Sequence, residues 1–341
     1  MPYKVNACFE DFLKYQVNLD SERTKIARTS RDNLLDNLKE LCNSGTLPKH
    51  YAEKNLHFGS FARKTKIRPL NDIDLMVCLS ACGGHYNEIM PNTLYTIKMQ
   101  DNVAIYEELK DDQGNLNSRK LINRIIQGLS PLRDYKKTEI KRNQEAATLQ
   151  LKSCEWNFDI VPCFYATNDF YLIPDGQGNW KKTDPRIDAQ HMDQVKSRVT
   201  LLNSNAKDLQ TFIRLMKYWK KENWNSCVGS YMFEQMVLNF AQAYGLKSDW
   251  QSNVQDCLLS LSRQILGVVN DPKGMQGDLN NLDTNTRNRY SQIAYSDYNT
   301  ARNAIVSEAT SDMLHTNHEK AIALWNEVFG DGFKKYGENY N

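Results

Sequence analysis

Leu56-His57-Phe58-Gly59-Ser60 and, twelve residues after Ser60, Asp72-Ile73-Asp74-Leu75-Met76-Val77 set the organisation of this chain. Leu56 and Phe58 alternate with polar Asn55 and His57, the period-two pattern of a half-buried strand. That strand ends at Gly59-Ser60, a pair suited to a tight turn whose backbone amides approach a ligand closely. A second alternating run begins at Asp72, with Ile73, Leu75, Val77 and Leu79 on one side and Asp72 and Asp74 on the other. Two carboxylates at i and i+2 therefore share a strand face with no side chain between them.

Such a pair is costly, because like charges a few Å apart repel and raise one another's pKa unless a cation intervenes. A divalent metal removes the cost, and hard oxygen ligands with an open face suit Mg²⁺ better than zinc. With phosphate-cradling amides beside it, the constellation reads as a metal–triphosphate site.

Bulk properties narrow the class. The 341 residues suffice for two lobes with large cores, and 40% hydrophobic with 25% charged residues describe an ordinary globular protein. No run of eighteen apolar residues exists, so no membrane span is expected. Met1-Pro2-Tyr3-Lys4 lacks the apolar core of a signal peptide, and a cytoplasmic location is expected by default. A net charge of +2 argues against a nucleic-acid coat protein. The eight cysteines are scattered without a Cys-x-x-Cys; Cys78, Cys82 and His85 come nearest to zinc-ligand spacing, but Cys78 lies in an apolar strand, and buried free thiols are the simpler reading.

Outward from that centre, Asp20-Ser21 caps a long helix through about Cys42, with Ile26, Leu34, Leu35, Leu38 and Leu41 on its buried face. A helix of that length spans roughly 30–35 Å, enough to brace two lobes. A short basic turn (Arg63, Lys64, Lys66, Arg68) precedes the Asp72 strand. Residues 81–117 read as polar loop with one strand-like piece, Thr93 to Met99, and Asn117-Ser118 opens a helix closed by Pro131. Arg133, Lys136, Lys137, Lys141 and Arg142 form a basic patch that reads as a solvated face. Ala147–Leu151 and Glu155–Phe164 read as a hairpin, with Trp156, Phe158 and Ile160 facing one side and Asn157, Asp159 and Val161 the other. A carboxylate inside so apolar a strand needs a reason, and Asp159 is the natural third acid of a two-metal site. Residues 174–180 read as a loop before Lys181-Lys182-Thr183-Asp184-Pro185. From Ala206 the chain reads helical: one helix carries Leu209, Phe212, Ile213, Met216 and Trp219 with Lys217 pointing elsewhere, one opens at Gly229-Ser230-Tyr231, a third spans about 252–268, and two more cover about 286–311 and 318–329.

Together Gly59-Ser60, Asp72-x-Asp74 and Asp159 resemble the nucleotidyltransferase superfamily related to DNA polymerase beta. Leu70-Asn71-Asp72-Ile73-Asp74-Leu75, Phe158-Asp159-Ile160-Val161-Pro162, Lys217-Tyr218-Trp219, Ser230-Tyr231 and Trp325-x-x-Val328-Phe329-Gly330 narrow it further. They are similar to the bacterial CD-NTases, cyclic-oligonucleotide synthases related to cyclic GMP-AMP synthase that act in anti-phage (CBASS) signalling. The resemblance implies an α+β fold: a polymerase-beta-like core of mixed sheet, flanking helices and long N-terminal spine helix over residues 1–190, with a helical lobe over 191–341 closing the nucleotide cleft. It implies that Asp72, Asp74 and Asp159 hold two Mg²⁺ ions (Mn²⁺ being the alternative) and activate a 3′-hydroxyl. Ser60 and the backbone at Gly59 would hold the triphosphate, and Lys217 and Ser230 match the family's triphosphate-binding Lys and Ser. Asp184, in the loop after Trp180, is expected to border the base pocket.

NTPs, ATP among them, are the implied substrates, and regulatory or effector proteins of the same defence system the implied partners of a monomer. The zinc ribbon of the animal enzyme is absent, so activation by double-stranded DNA is not implied, and Glu338-Asn339-Tyr340-Asn341 ends in no small residue that would mark the tail for conjugation. With no long basic track, the product is expected to be a small ring made without template or primer. The rival readings are another nucleotidyltransferase, acting on RNA or a small molecule, and a non-catalytic nucleotide sensor.

Overall fold

A computed structural model describes residues 5–333, except 92, 102, 137, 152–153, 225–226 and 311–315. Met1–Lys4, Lys137 and the tail Glu338–Asn341 thus lie outside the described residues. The chain forms two compact units: the described residues up to Leu19, Thr65–Arg68 and from Ala189 onward make one, and Asp20–Lys64 with Pro69–Asp188 make the other.

The second of these holds the sheet. Helix α1 (Val5–Phe12) comes first in the chain, running into a π turn, and α2 (Ser21–Asn43) follows, its first turn capped by the Asp20 carboxylate accepting from the Arg23 amide at 3.0 Å. Ala27, Leu34, Leu38 and Leu41 form the buried stripe of α2. Ile26 sits one residue, or about 100°, off that stripe and is exposed, contrary to the sequence reading. The strand at Leu56 is short: β1 is only Leu56–His57, and Gly59–Ala62 forms a single helical turn, α3. Strand β2 is Asp72–Leu79, with exposure alternating as expected at Asp72, Ile73, Asp74 and Leu75. Residues 81–117, read as loop, contain a hairpin of β3 (His85–Met90) and β4 (Leu94–Lys98) and the short α4 (Ala104–Glu107). Then come α5 (Ser118–Leu129), capped by Asn117, and the strands β5 (Glu139–Asn143), β6 (Ala146–Gln150), β7 (Asn157–Ala166), β8 (Phe170–Pro174) and β9 (Trp180–Thr183).

These strands form one nine-stranded mixed sheet, seven of them in the order β1-β2-β7-β8-β9-β4-β3 and the other two off that path, β6 on β7 and β5 on β6. Strand β2 pairs parallel with β7, while β6 and β8 pair antiparallel with successive halves of β7's other edge. The residues that repeat at i+2 opposite the acids, Ile73, Leu75, Phe158, Ile160 and Leu149, are all buried. Helix α5 packs on β5, β6 and β7 with Leu121, Ile122, Ile125 and Leu129 buried, and on α2, where Gly128 lets Leu41 and Leu47 approach.

The other unit is helical: α7 (Leu209–Asn223), α8 (Ser230–Tyr244), α9 (Trp250–Gln264), α10 (Thr284–Ala309) and α11 (Thr316–Phe329), preceded by α6 (Pro185–Leu202), within which the boundary falls. Helix α1 belongs to its core. Phe9 meets Trp325 and Phe333 with ring centroids 5.0 Å apart, and Phe12 meets Tyr218 edge-on at 4.9 Å. No described helix is long and apolar enough to cross a membrane.

Candidate active site

Register places the acids. Along the parallel pair of β2 and β7, Asp72 stands opposite Asn157 and Asp74 opposite Asp159. Paired positions on adjacent strands project to the same face, so Asp72, Asp74 and Asp159 lie together on one side of the sheet, with Asn157 beside them. On the far edge of β7, Thr148 of β6 stands opposite Asp159, and its hydroxyl donates to Asp159 Oδ1 at 2.6 Å. All three acids are half-buried, whereas the same face further along the strands is apolar: Met76, Cys78, Val161, Cys163 and Tyr171 are buried there. The carboxylates thus occupy the polar end of an otherwise hydrophobic surface, where their charges are poorly screened.

Gly59 closes this end. It adopts φ +75°, and a Cβ built there would stand 1.8 Å from Asp74 Oδ2. Only glycine lets the backbone pass so close to that carboxylate. Ser60 follows it in the first turn of α3 and is half-buried. Gly59, Ser60, Asp72, Asp74 and Asp159 are therefore brought together in one unit. Their donor set, hard carboxylate oxygens steadied by a hydroxyl and approached by a bare backbone, fits a divalent cation of the Mg²⁺ type. Among the described residues, no three His, Cys, Asp or Glu side chains converge closely enough to cage an ion by themselves. Mutual repulsion opposes such convergence, and Asp159 turns one oxygen to Thr148.

Lys217 and Ser230 lie in the helical unit. Ser230 begins α8 and is exposed. Lys217, expected to point away from the apolar face of α7, is only 7% exposed. Its ammonium faces the fully buried Glu234 carboxylate at 3.5 Å, which explains how a charge is tolerated on a buried face. The sequence reading missed Glu234 as a partner, although its placement one helical turn after Ser230 was a usable signal. One turn along α7, Lys220 is held below the ordinary lysine range by burial and by the Lys217 charge beside it.

Asp184 has a different setting. It is 5% exposed, and both its oxygens accept from Arg186, at 2.8 Å from Nε and 2.7 Å from Nη2, while Oδ1 also accepts the Arg186 amide. Arg186 reaches on to Asp169 at 2.7 Å. Trp180 is wholly buried, donating its indole N–H to the Leu116 carbonyl at 2.9 Å. The geometry therefore gives Asp184 the work of starting α6 and fixing Arg186. A small cavity of about 200 Å³, lined by His85, Tyr86, Phe164, Tyr165 and Thr167, sits at the opposite strand ends from the acids and is not part of this site.

A mixed sheet carrying Asp-x-Asp on one strand and a third acid opposite it on a parallel neighbour, beside a Gly-Ser turn, defines a nucleotidyltransferase of the polymerase-beta type. Comparison with known proteins narrows the class. The Second Messenger Oligonucleotide or Dinucleotide Synthetase (SMODS) domain matches residues 84–196, a span that includes Asp159. A probable cyclic nucleotide synthase of Bacillus cereus (strain VD146) is 39% identical over 338 residues, covering 97% of this chain and 98% of that protein. A cyclic AMP-AMP-AMP synthase of Acinetobacter sp. (strain ATCC 27244 / 9458) is 23% identical over 222 residues, 60% of this chain and 58% of that protein. In fold, the structure of E. coli MS115-1 CdnC with ATP superposes with a TM-score of 0.64 at 17% identity, over 98% of this chain and 99% of that one. The chain belongs to the CD-NTase family of cyclic nucleotide synthases. Enzymes of this family work with divalent cations.

Proposed function

We propose that this enzyme joins NTPs, ATP among them, into a cyclic di- or trinucleotide with release of pyrophosphate, needing neither template nor primer. One observation carries the proposal: Asp74 and Asp159 are register partners beside Gly59 in a chain related end to end to a probable cyclic nucleotide synthase. In this reading Asp72, Asp74 and Asp159 would hold two Mg²⁺ ions, with Mn²⁺ as the alternative. Those ions, when bound, would lower the pKa of the attacking 3′-hydroxyl and neutralise charge on the pyrophosphate. Ser60 and the Gly59 backbone hold the triphosphate, and Lys217 and Ser230 supply further positive potential and a hydroxyl to it. A linear intermediate held by such fixed contacts closes on itself faster than it grows, because intramolecular attack carries a large effective concentration. The enzyme would act in the cytoplasm as a monomer, within anti-phage signalling of the CBASS type and under proteins of the same system.

The test is unprimed NTPs with Mg²⁺, then phosphatase and mass spectrometry. A phosphatase-resistant product with the mass of two or three nucleotides in a ring is expected. A phosphatase-sensitive ladder, or activity only with an added RNA or aminoglycoside, would refute the reading.

A further inference from the structure

The helical unit contains a buried polar junction that the proposed chemistry leaves unexplained. Glu234 of α8 is fully buried, and a carboxylate there is retained only where partners repay its desolvation. One oxygen serves two partners: Oε2 accepts the hydroxyl of Thr65 at 2.9 Å and faces the ammonium of Lys217 at 3.5 Å. Thr65 is itself fully buried, and it belongs with the helical unit although it follows Ser60 by only five residues in the chain. Several features hold that short segment in place. Lys64 takes a left-handed φ of +60° immediately before it, the Arg68 amide donates to the Val17 carbonyl at 3.0 Å, and Ile67 packs on the helical core. A non-glycine residue keeps such a φ only where its surroundings impose it.

We propose that Glu234 is a positioning residue for Lys217, aiming the ammonium that the proposed function assigns to the triphosphate, with Thr65 holding the carboxylate in turn. The inference rests on that assignment of Lys217. Glu234 lies four residues after Ser230, so both project from the same side of α8, and Lys217 reaches that side from α7. At 3.5 Å the pair is looser than the roughly 2.7–2.9 Å of a tight charge-assisted bond. The carboxylate therefore orients the ammonium without the close grip of a tight bond. The negative charge of Glu234 also offsets part of the cost of burying the ammonium.

Two substitutions separate charge from hydrogen bonding. Glu234→Gln keeps an acceptor for Thr65 but removes the charge, and Thr65→Val removes the hydroxyl at nearly constant volume. The readout is pyrophosphate release from an equimolar NTP mixture, with kcat and apparent KM taken separately. Glu234→Gln is expected to raise KM about tenfold while kcat changes less than about threefold, since binding shared by ground and transition states appears in KM. Thr65→Val shifts KM in the same direction by about threefold, and it carries the test should Glu234→Gln fail to fold. In a Lys217→Ala background, Glu234→Gln adds nothing, because it acts through the lysine. An unchanged KM in folded Glu234→Gln, or an equal effect of that change with and without Lys217, overturns the proposal. If Lys217→Ala raises KM and the Glu234 and Thr65 variants do not, this inference alone fails. If Lys217→Ala leaves KM unaltered, the triphosphate assignment falls and takes this inference with it.

Discussion

Replacing Gly59 by alanine tests the geometry of the acid site at its tightest point. Gly59 sits at φ +75°, where a side chain costs roughly 1–2 kcal/mol. The new methyl would stand 1.8 Å from Asp74 Oδ2, 2.5 Å from its Cγ and 2.9 Å from its Cβ, whereas ordinary contact begins near 3.4 Å. Some part of the Asp74 side chain must therefore move by well over 1 Å, at an off-rotamer cost of about 0.5–1.5 kcal/mol. Summed, Gly59→Ala should destabilise the fold by roughly 1.5–3.5 kcal/mol and lower Tm by roughly 2–5 °C. The catalytic loss should be far larger, because an acid misplaced by about 1 Å can cost about 100-fold. The assay is pyrophosphate release measured at least about 15 °C below the variant's own Tm, so that unfolding does not contribute. A fall in kcat of about 100-fold or more under those conditions is expected. Turnover within about threefold of wild type would show that the close approach of Gly59 to Asp74 has no part in the chemistry.

Asp72→Ala and Asp74→Ala should each abolish pyrophosphate release while leaving Tm equal or slightly higher, because removing one of two like charges on a strand face relieves repulsion; retained turnover in a folded variant would contradict the metal assignment. Asp184→Asn should lower Tm by a few degrees through loss of a nearly buried pairing with Arg186, leaving the ratio of products from mixed NTPs unchanged. A changed ratio at constant Tm would instead make Asp184 a base contact. Asp297 accepts the Trp219 indole N–H at 2.7 Å, and burial raises its carboxyl to about 6 despite that bond. A carboxyl raised in the folded state contributes stability below its unfolded value, and this is lost as pH climbs through about 6. Asp297→Asn should thus stabilise the protein by about 1–2 kcal/mol at pH 8, after allowance for solvent screening, and confer nothing at pH 3.5. A pH-independent difference in Tm would refute the assignment.

Much of this was legible in the sequence because it is written at short range. Asp72 through Leu79 alternate strictly enough to show which residues share a face, and Asp20, Asn117 and the run from Leu209 announce helices through capping and 3.6-residue spacing. The acid pair Asp72 and Asp74, and the odd carboxylate at Asp159, stand out on the same grounds. What escaped were strands without that contrast. The outermost, β3, exposes nearly every residue, β5 is a basic run, and β8 and β9 flank a glycine-rich turn, so none shows a clean alternation of buried and exposed positions.

Only tertiary structure decided which strands became neighbours. The parallel register of β2 on β7 sets Asp159 opposite Asp74, and a slip of one residue would have sent the third acid to the opposite face. Chain folding likewise placed Val5–Leu19 and Thr65–Arg68 with the helices, paired Lys217 with Glu234, and gave Asp184 to Arg186. Local spacing states which way a side chain points along its own element. Its partner comes from another element, dozens of residues away, and is chosen by the packing of the whole core.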